Sequence, residues 1–356
     1  MQILYDHQVF SWQVTGGISR YFTELISHLN GTYSSLISNN LYLSSAKNKP
    51  ATLLPDIYVP GKTQLITIIN KIKTIMMLKN GQFDIFHPTY YDPYFLPYIG
   101  DKPFVVTVFD MIHELYPTEF PGDTTTSLKK KVLSRATQII AISSNTKKDL
   151  VNIFGIKPEK IEVIYLGSSL DPKNYSKVNL PSKYLLYVGD RGKYKNFTSL
   201  VGALHELKGM LEDVHLVCVG GGKFNDSEKK LLGSLMSRSH QLSLTDPELT
   251  YAYKHALSFI MPSLYEGFCL PVLEAMICSC PVVCSNTSSI PEVAGDAAIY
   301  FDPKKESSIA SAIKILLKDE DLRSKSIKQG LAQATKFSWD KCAKETEIIY
   351  QKAITQ

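Results

Sequence analysis

Pro262-Ser263-Leu264-Tyr265-Glu266-Gly267-Phe268-Cys269-Leu270-Pro271-Val272-Leu273-Glu274-Ala275-Met276 follows directly on the apolar run 257–261. A short apolar run bounded by turn residues reads as a buried strand. Pro271 suits the first turn of a helix, where its missing N–H costs nothing. Residues 267–270 are therefore a loop whose amides sit at the positive end of that helix, suited to phosphate or sugar oxygens. Glu266 lies in the loop and Glu274 one turn inside the helix, so both carboxylates can face one ligand at the carboxyl edge of a sheet and accept from its hydroxyls. A tight turn with two solvent-facing glutamates is the plainer reading, but it sits badly with a loop this apolar.

The same alternation of apolar run and helical pattern extends in both directions. Strands are expected at 2–5, 83–86, 104–109, 138–142 and 161–164, and again at 184–188, 215–219, 257–261 and 281–284. Helices are expected at 19–29, 127–136, 144–154, 196–207, 306–318 and 338–354. This is the signature of parallel sheets wrapped by helices, arranged as two doubly wound α/β units. The reading gives a first domain over 1–166, a linker over 167–182 with scattered proline and glycine, and a second domain over 183–337. The last helix begins at a capping Ser338 and carries Trp339, Ala343, Ile348 and Ile349 as its apolar stripe.

Composition bounds the rest. A chain of 356 residues fits two domains, and 44% hydrophobic with 21% charged residues excludes disorder and collagen-like repeats. The net charge of +5 suits phosphate-bearing ligands or an anionic membrane surface without demanding nucleic acid. Four of the six cysteines, Cys269, Cys278, Cys280 and Cys284, crowd one stretch with no Cys-x-x-Cys pair or histidine at zinc spacing, so buried free thiols in a reducing compartment are expected. Residues 1–10 lack a basic region ahead of an apolar run, and no stretch of 18 apolar residues occurs, so a cytoplasmic protein, at most attached to a membrane face, is expected.

Three further constellations carry chemistry. In Tyr187-Val188-Gly189-Asp190-Arg191-Gly192-Lys193-Tyr194-Lys195-Asn196 a strand feeds a basic, Gly-containing loop and then a helix. Arg191 and Lys195 can present a guanidinium fork and an ammonium to a diphosphate. A solvated basic turn is the alternative. Gly16 and Gly17 open the first long helix and can approach a phosphate, although no G-x-G-x-x-G is present and a dehydrogenase is disfavoured. Asp110 and His113, in Phe109-Asp110-Met111-Ile112-His113-Glu114, follow a strand at the edge where sites collect, with structural roles equally open to them. Gly220-Gly221-Gly222-Lys223 lacks Walker spacing and reads as a flexible strand end, and Asp319-Glu320-Asp321 reads as a solvated helix junction. No dedicated metal site and no G-x-S-x-G elbow is visible.

With these pieces in order, nearly the whole chain resembles a GT-B glycosyltransferase of family four, the retaining nucleotide-sugar transferases. Glu266 to Glu274 is similar to the family's E-x7-E motif, which implies that Glu266 contacts the donor sugar and Glu274 the ribose. The donor loop so implied includes Gly189, Gly267, Phe268, Cys269 and Leu270. Arg191 and Lys195 resemble its diphosphate clamp, Gly16 and Gly17 its glycine loop, and Ser338-Trp339 the start of a terminal helix that returns to the first domain. Phe109 to Pro117, with Ala141-Ile142-Ser143 and Thr146 to Leu150, resembles the polysaccharide and O-antigen branch, often mannosyl- or rhamnosyltransferases. Phe109 replaces the histidine common there, which leaves His113 as the substitute, and Cys269 and Ser279 stand where glycines are usual.

The resemblance implies a metal-independent, cofactor-free transfer in a cleft between two facing Rossmann-like domains. A nucleotide-diphosphate sugar is the donor, and a glycan or lipid-linked glycan the acceptor. A sugar-nucleotide epimerase of the same fold and a non-catalytic sugar-binding relic are the alternatives. An anionic membrane surface is a further expected partner. Residues 64–78 carry Leu65, Ile66, Ile68, Ile69, Ile72, Ile75 and Met76 among Lys71, Lys73 and Lys79, and Lys129, Lys130, Lys131 and Arg135 form a second basic strip. A core-packing helix with a solvated basic edge is the alternative reading of 64–78.

Overall fold

Strands buried on both faces need helices on both sides of a parallel sheet, and the first half of the computed structural model is built this way. It supplies β1 (Ile3–Tyr5), β2 (Thr32–Tyr33), β3 (Ile85–His87), β4 (Val105–Val108), β5 (Gln138–Ala141) and β6 (Ile161–Val163). Every residue of β1, β3, β4 and β5 is buried. All pairings are parallel, in the orders β2-β1-β3 and β4-β5-β6, and a bridge between Phe86 and Phe104 joins the two sets. Its helices are α1 (Gln8–Trp12), α2 (Gly17–Leu29), α3 (Lys62–Asn80), α4 (Ile112–Leu115), α5 (Thr125–Arg135) and α6 (Ser144–Phe154). The structure describes residues 1–45, 50–52 and 61–356.

The second half forms one six-stranded parallel sheet from β7 (Tyr184–Val188), β8 (His215–Val219), β9 (Ser239–Leu242), β10 (Ser258–Met261), β11 (Val282–Ser285) and β12 (Ile299–Phe301). The order is β12-β11-β10-β7-β8-β9, so the chain reverses direction across the sheet between β7 and β10. That junction is the topological switch point, and the loops leaving the carboxyl ends of β7 and β10 share it. The helices are α7 (Phe197–Glu206), α8 (Asp226–Leu232), α9 (Asp246–His255), α10 (Leu270–Ile277), α11 (Ile290–Ala294), α12 (Glu306–Lys318) and α13 (Glu320–Ala334). Leu200, Val201, Leu204, Ile309 and Ile313 pack onto Leu185, Tyr187 and Leu216 of the sheet to form the core of this unit. Asp319 caps α13 by accepting from the Leu322 N–H at 2.8 Å, in keeping with a helix junction at 319–321.

The chain divides into residues 1–167 with 338–356, and residues 168–337. The stretch read as linker belongs to the second unit from Ser168 onward. Leu170 is buried, the Ser176 N–H donates to the Pro247 carbonyl, and Lys254 Nζ donates to the Pro172 carbonyl. The final helix, α14 (Trp339–Ile354), is capped by Ser338 Oγ and packs on α2 within the first unit. Its inward positions are Trp339, Cys342, Ala343, Thr346, Ile349, Tyr350 and Ala353, while Ile348, expected on the apolar stripe, is 54% exposed. The 3.6-residue period puts 346 and 350 inward and turns 348 out.

A buried polar chain fastens α14 there. Tyr350 Oη shares hydrogen bonds with Tyr5 Oη at 3.0 Å and His87 Nδ1 at 2.6 Å, and Thr107 Oγ1 shares them with His87 Nε2 and Tyr21 Oη, both at 3.0 Å. Burial pushes the His87 imidazole down to about 3. The basic strip at 129–135 loses a member, because Lys129 is buried and bonded to Glu114 Oε2 at 2.8 Å and the Asp110 carbonyl at 3.0 Å.

Candidate active site

The β10–α10 connection is built as its punctuation suggests. Cys269 is the N-cap of α10, and Pro271 sits in the first turn. Cys269 holds φ 75°, a left-handed conformation that favours glycine, and Phe268 fixes the turn by packing its ring edge-on against Phe337. Gly267 and Leu270 complete the loop, with Gly267 buried and Leu270 opening the helix. Glu266 is 8% exposed, and its Oε1 lies 2.8 Å from Lys195 Nζ. Burial alone would lower the Lys195 ammonium, but the Glu266 carboxylate and Tyr194 hold it above its ordinary value. Glu274 sits one turn into α10, where its Oε2 accepts from the buried Tyr253 hydroxyl at 3.2 Å.

Two neighbours fix the Glu266 loop: the basic loop that the sequence already singled out, and a second segment that sequence reasoning missed. The Tyr194 carbonyl accepts from the Leu264 N–H at 2.8 Å. On the other side three consecutive hydroxyls donate to the loop's carbonyls: Thr287 Oγ1 to Leu264 at 3.1 Å, and Ser288 and Ser289 Oγ to Glu266 at 2.6 and 2.8 Å. The only signal was a run of hydroxyl residues just past β11. Asn196 ties the basic loop to the same edge, its Nδ2 donating to the Pro262 and Pro303 carbonyls at 3.1 and 2.7 Å. The pair Lys195–Glu266 is thus held at the switch point by backbone contacts from two sides.

Arg191 does not join that pair. Its side chain is 2% exposed, with Nε 2.6 Å from Glu228 Oε1. Its terminal nitrogens donate to the carbonyls of Gly220, Gly221 and Gly222 at 3.0, 3.0 and 2.8 Å. Those three glycines, expected to be a flexible strand end, all hold positive φ, and a Cβ on Gly221 would lie 2.6 Å from the guanidinium. Bonded to a carboxylate and to these carbonyls, the guanidinium fork fastens the β7 loop to the β8 loop. Gly189, at φ 129°, makes the bend at the end of β7, its N–H donating to the Val219 carbonyl.

The remaining expected residues belong to the first unit. Gly16 is the N-cap of α2 and Gly17 its exposed first residue, with Gln13 Oε1 accepting from the Ser19 N–H at 2.8 Å. Asp110 follows β4 and accepts from the Ile112 N–H at 3.0 Å. His113 faces Asp123, Nδ1 to Oδ2 2.8 Å, and lies over Phe120. All six cysteines are free and buried, and burial pushes the Cys218, Cys278 and Cys342 thiols up to about 12. Among the described residues no group of three or more His, Cys, Asp or Glu side chains converges as a metal site, and no described helix is long and apolar enough to cross a membrane.

The second unit is thus a doubly wound parallel sheet with a Lys–Glu pair and a helix N-terminus at its switch point, the edge where such sheets bind their ligands. Residues 169–333 match the family described as glycosyl transferases group 1, and residues 15–171 match glycosyltransferase family 4. The chain is 31% identical over 284 residues to the O-antigen chain mannosyltransferase B of Escherichia coli, spanning 74% of each. It is 30% identical over 218 residues to a Campylobacter jejuni N-acetylgalactosaminyltransferase named for a diphospho-undecaprenol-linked acceptor, spanning 59% of each. Its fold is similar to that of HepE from Anabaena in complex with UDP-glucose, with a TM-score of 0.76 at 17% identity over 99% of this chain and 100% of that one. The chain belongs to the group 1, family 4 glycosyltransferases and is a glycosyltransferase.

Proposed function

We propose that the protein moves a hexose, mannose being the first candidate, from a nucleoside-diphosphate sugar to a glycan or lipid-linked glycan during O-antigen or related polysaccharide assembly. The transfer proceeds with retention and without a metal ion. The observation that carries the reading is the Lys195–Glu266 pair at the switch point beside the N-terminus of α10. The named relatives supply the sugar and acceptor classes. A lipid-linked acceptor would bring the protein to an anionic membrane surface, and buried free thiols fit a reducing, cytoplasmic compartment.

Lys195 lies where a diphosphate at the switch point would be, and its ammonium is kept charged by Glu266. It therefore offsets the charge that develops as the bond from the sugar's anomeric carbon to the phosphate oxygen breaks. The α10 amides add to this stabilisation. Glu266 accepts from sugar hydroxyls, and Glu274, steadied by Tyr253, from the ribose. The acceptor hydroxyl attacks from the face the phosphate leaves, and the departing phosphate oxygen takes its proton. Gly17, Asp110 and His113 are assigned to the acceptor side and the donor phosphate.

Lys195→Ala is expected to lower turnover by roughly 2.7 to 4 kcal/mol, as for loss of one charge-stabilising donor. Near wild-type turnover in that variant overturns the assigned site. A panel of nucleotide sugars in thermal-shift assays names the donor by the largest rise in midpoint. Activity should survive chelation, and NMR of the product should show the donor's anomeric configuration. An absolute need for added manganese, or an inverted product, refutes the corresponding half of the proposal.

A further inference from the structure

The helix α3 is inside out. The four residues it buries include Asn70 and Thr74, both 0% exposed, while Leu65, Ile68, Ile72 and Met76 stand 51%, 56%, 55% and 64% exposed. The inward polar groups are satisfied. Asn70 Oδ1 accepts from the N–H groups of Leu36 and Ile37 at 2.9 and 3.1 Å, and Asn70 Nδ2 donates to the Ile37 carbonyl at 2.7 Å. Thr74 Oγ1 shares a 2.6 Å bond with Ser34 Oγ. These bonds lock the helix's rotation, so the apolar face cannot turn inward without orphaning several buried polar groups. An ordinary surface helix has the opposite polarity.

The outward residues, at positions 65, 68, 72 and 76, fall on one side of the helix and form a stripe roughly 16 Å long. Over its whole length α3 carries four lysines and no aspartate or glutamate. At its end Lys79 lies over the ring of Tyr98, which is 37% exposed. Charge separates two possible occupants of the face. A second copy would set lysine-only helix against lysine-only helix, whereas an anionic lipid surface offers phosphates to the lysines and acyl chains to the stripe.

We propose that α3 lies flat on an anionic lipid surface, with Leu65, Ile68, Ile72 and Met76 dipping past the headgroups and Lys73 and Lys79 at the phosphates. The proposal rests on the membrane partner named above and deepens it to one helix face. It needs neither the sugar nor the lipid-linked acceptor. The test is sedimentation of the full chain with vesicles of phosphatidylcholine alone, or mixed with phosphatidylglycerol, at low and high salt.

Binding is expected to the mixed vesicles at low salt and to weaken at least about tenfold at high salt or on phosphatidylcholine alone. The variant Ile68→Ser/Ile72→Ser/Met76→Ser is expected to lose binding by at least about tenfold with an unchanged melting midpoint, because its substitutions are exposed. Lys73→Glu/Lys79→Glu should weaken binding to the mixed vesicles as well. Undiminished binding by the triple serine variant, no binding by the wild type at low salt, or a wild-type dimer that this variant dissolves would each overturn the proposal. Sugar transfer to a water-soluble acceptor should be the same in wild type and triple variant, so a failed docking face and a failed transferase assignment appear in different assays.

Discussion

Cys269 and Ser279 bracket α10, and both hold left-handed backbone, at φ 75° and 59°. The sequence departs from glycine at both, and a non-glycine residue in this conformation costs about 1–2 kcal/mol. Ser279 is exposed and makes the helix's C-terminal turn, its N–H donating to the Met276 carbonyl at 3.1 Å. Ser279→Gly should therefore raise stability by about 0.5–1 kcal/mol, after the greater unfolded-state freedom of glycine is subtracted. An unchanged or lower urea midpoint would show that the turn is unstrained. Arg191 carries the opposite expectation. Arg191→Ala leaves Glu228 and three glycine carbonyls without their donor, so the second unit should lose about 3 kcal/mol of stability. Rescue by Arg191→Lys should be poor, since an ammonium cannot reproduce the fork. Stability near wild type in the alanine variant would show that these bonds do not fasten the two loops.

At the scale of elements, β7 and β8 run over the residues their apolar runs mark out, because strands buried in the middle of a parallel sheet are apolar without interruption. The strands that escaped notice are of another kind. β2 has two residues, β9 is the half-buried edge Ser-His-Gln-Leu, and β12 is the opposite edge. Edge strands bury less and so need less apolar sequence. The β10–α10 loop was readable since proline and glycine act locally, whereas Glu228 meets Arg191 from 37 residues away and the glycine carbonyls are backbone atoms that no residue type announces. For α14, Tyr350→Phe removes the hydroxyl shared with His87 and Tyr5 and should cost about 1–3 kcal/mol. A loss within a few tenths of a kcal/mol would mean that the chain of bonds is slack.

At the scale of the molecule, pH acts through the buried His87. The unfolded chain takes up a proton on this ring below about 6.5, and the folded chain does so only near 3. Stability is therefore whole above about 6.5 and falls as pH drops through that window, by up to about 1.4 kcal/mol per pH unit for this group. His7, also depressed by burial, adds in the same direction. Urea midpoints at pH 7 and pH 5 check this, and in His87→Asn the difference should shrink even though the variant is less stable. An equal or larger difference would assign the acid sensitivity elsewhere.

The hydroxyl pair Tyr5–Tyr350 joins positions 345 residues apart, and all of residues 168–337 lies between them in the chain. During synthesis the inserted half has its complete set of strands before the surrounding half has its last helix. The first-made segment must wait, with the groove for α14 open, until residue 350 emerges from the ribosome. A nonsense codon just after Phe337 should thus yield a chain in which residues 168–337 resist protease while residues 1–167 are digested, so that a stop ahead of α14 is read out as damage on the far side of the inserted half.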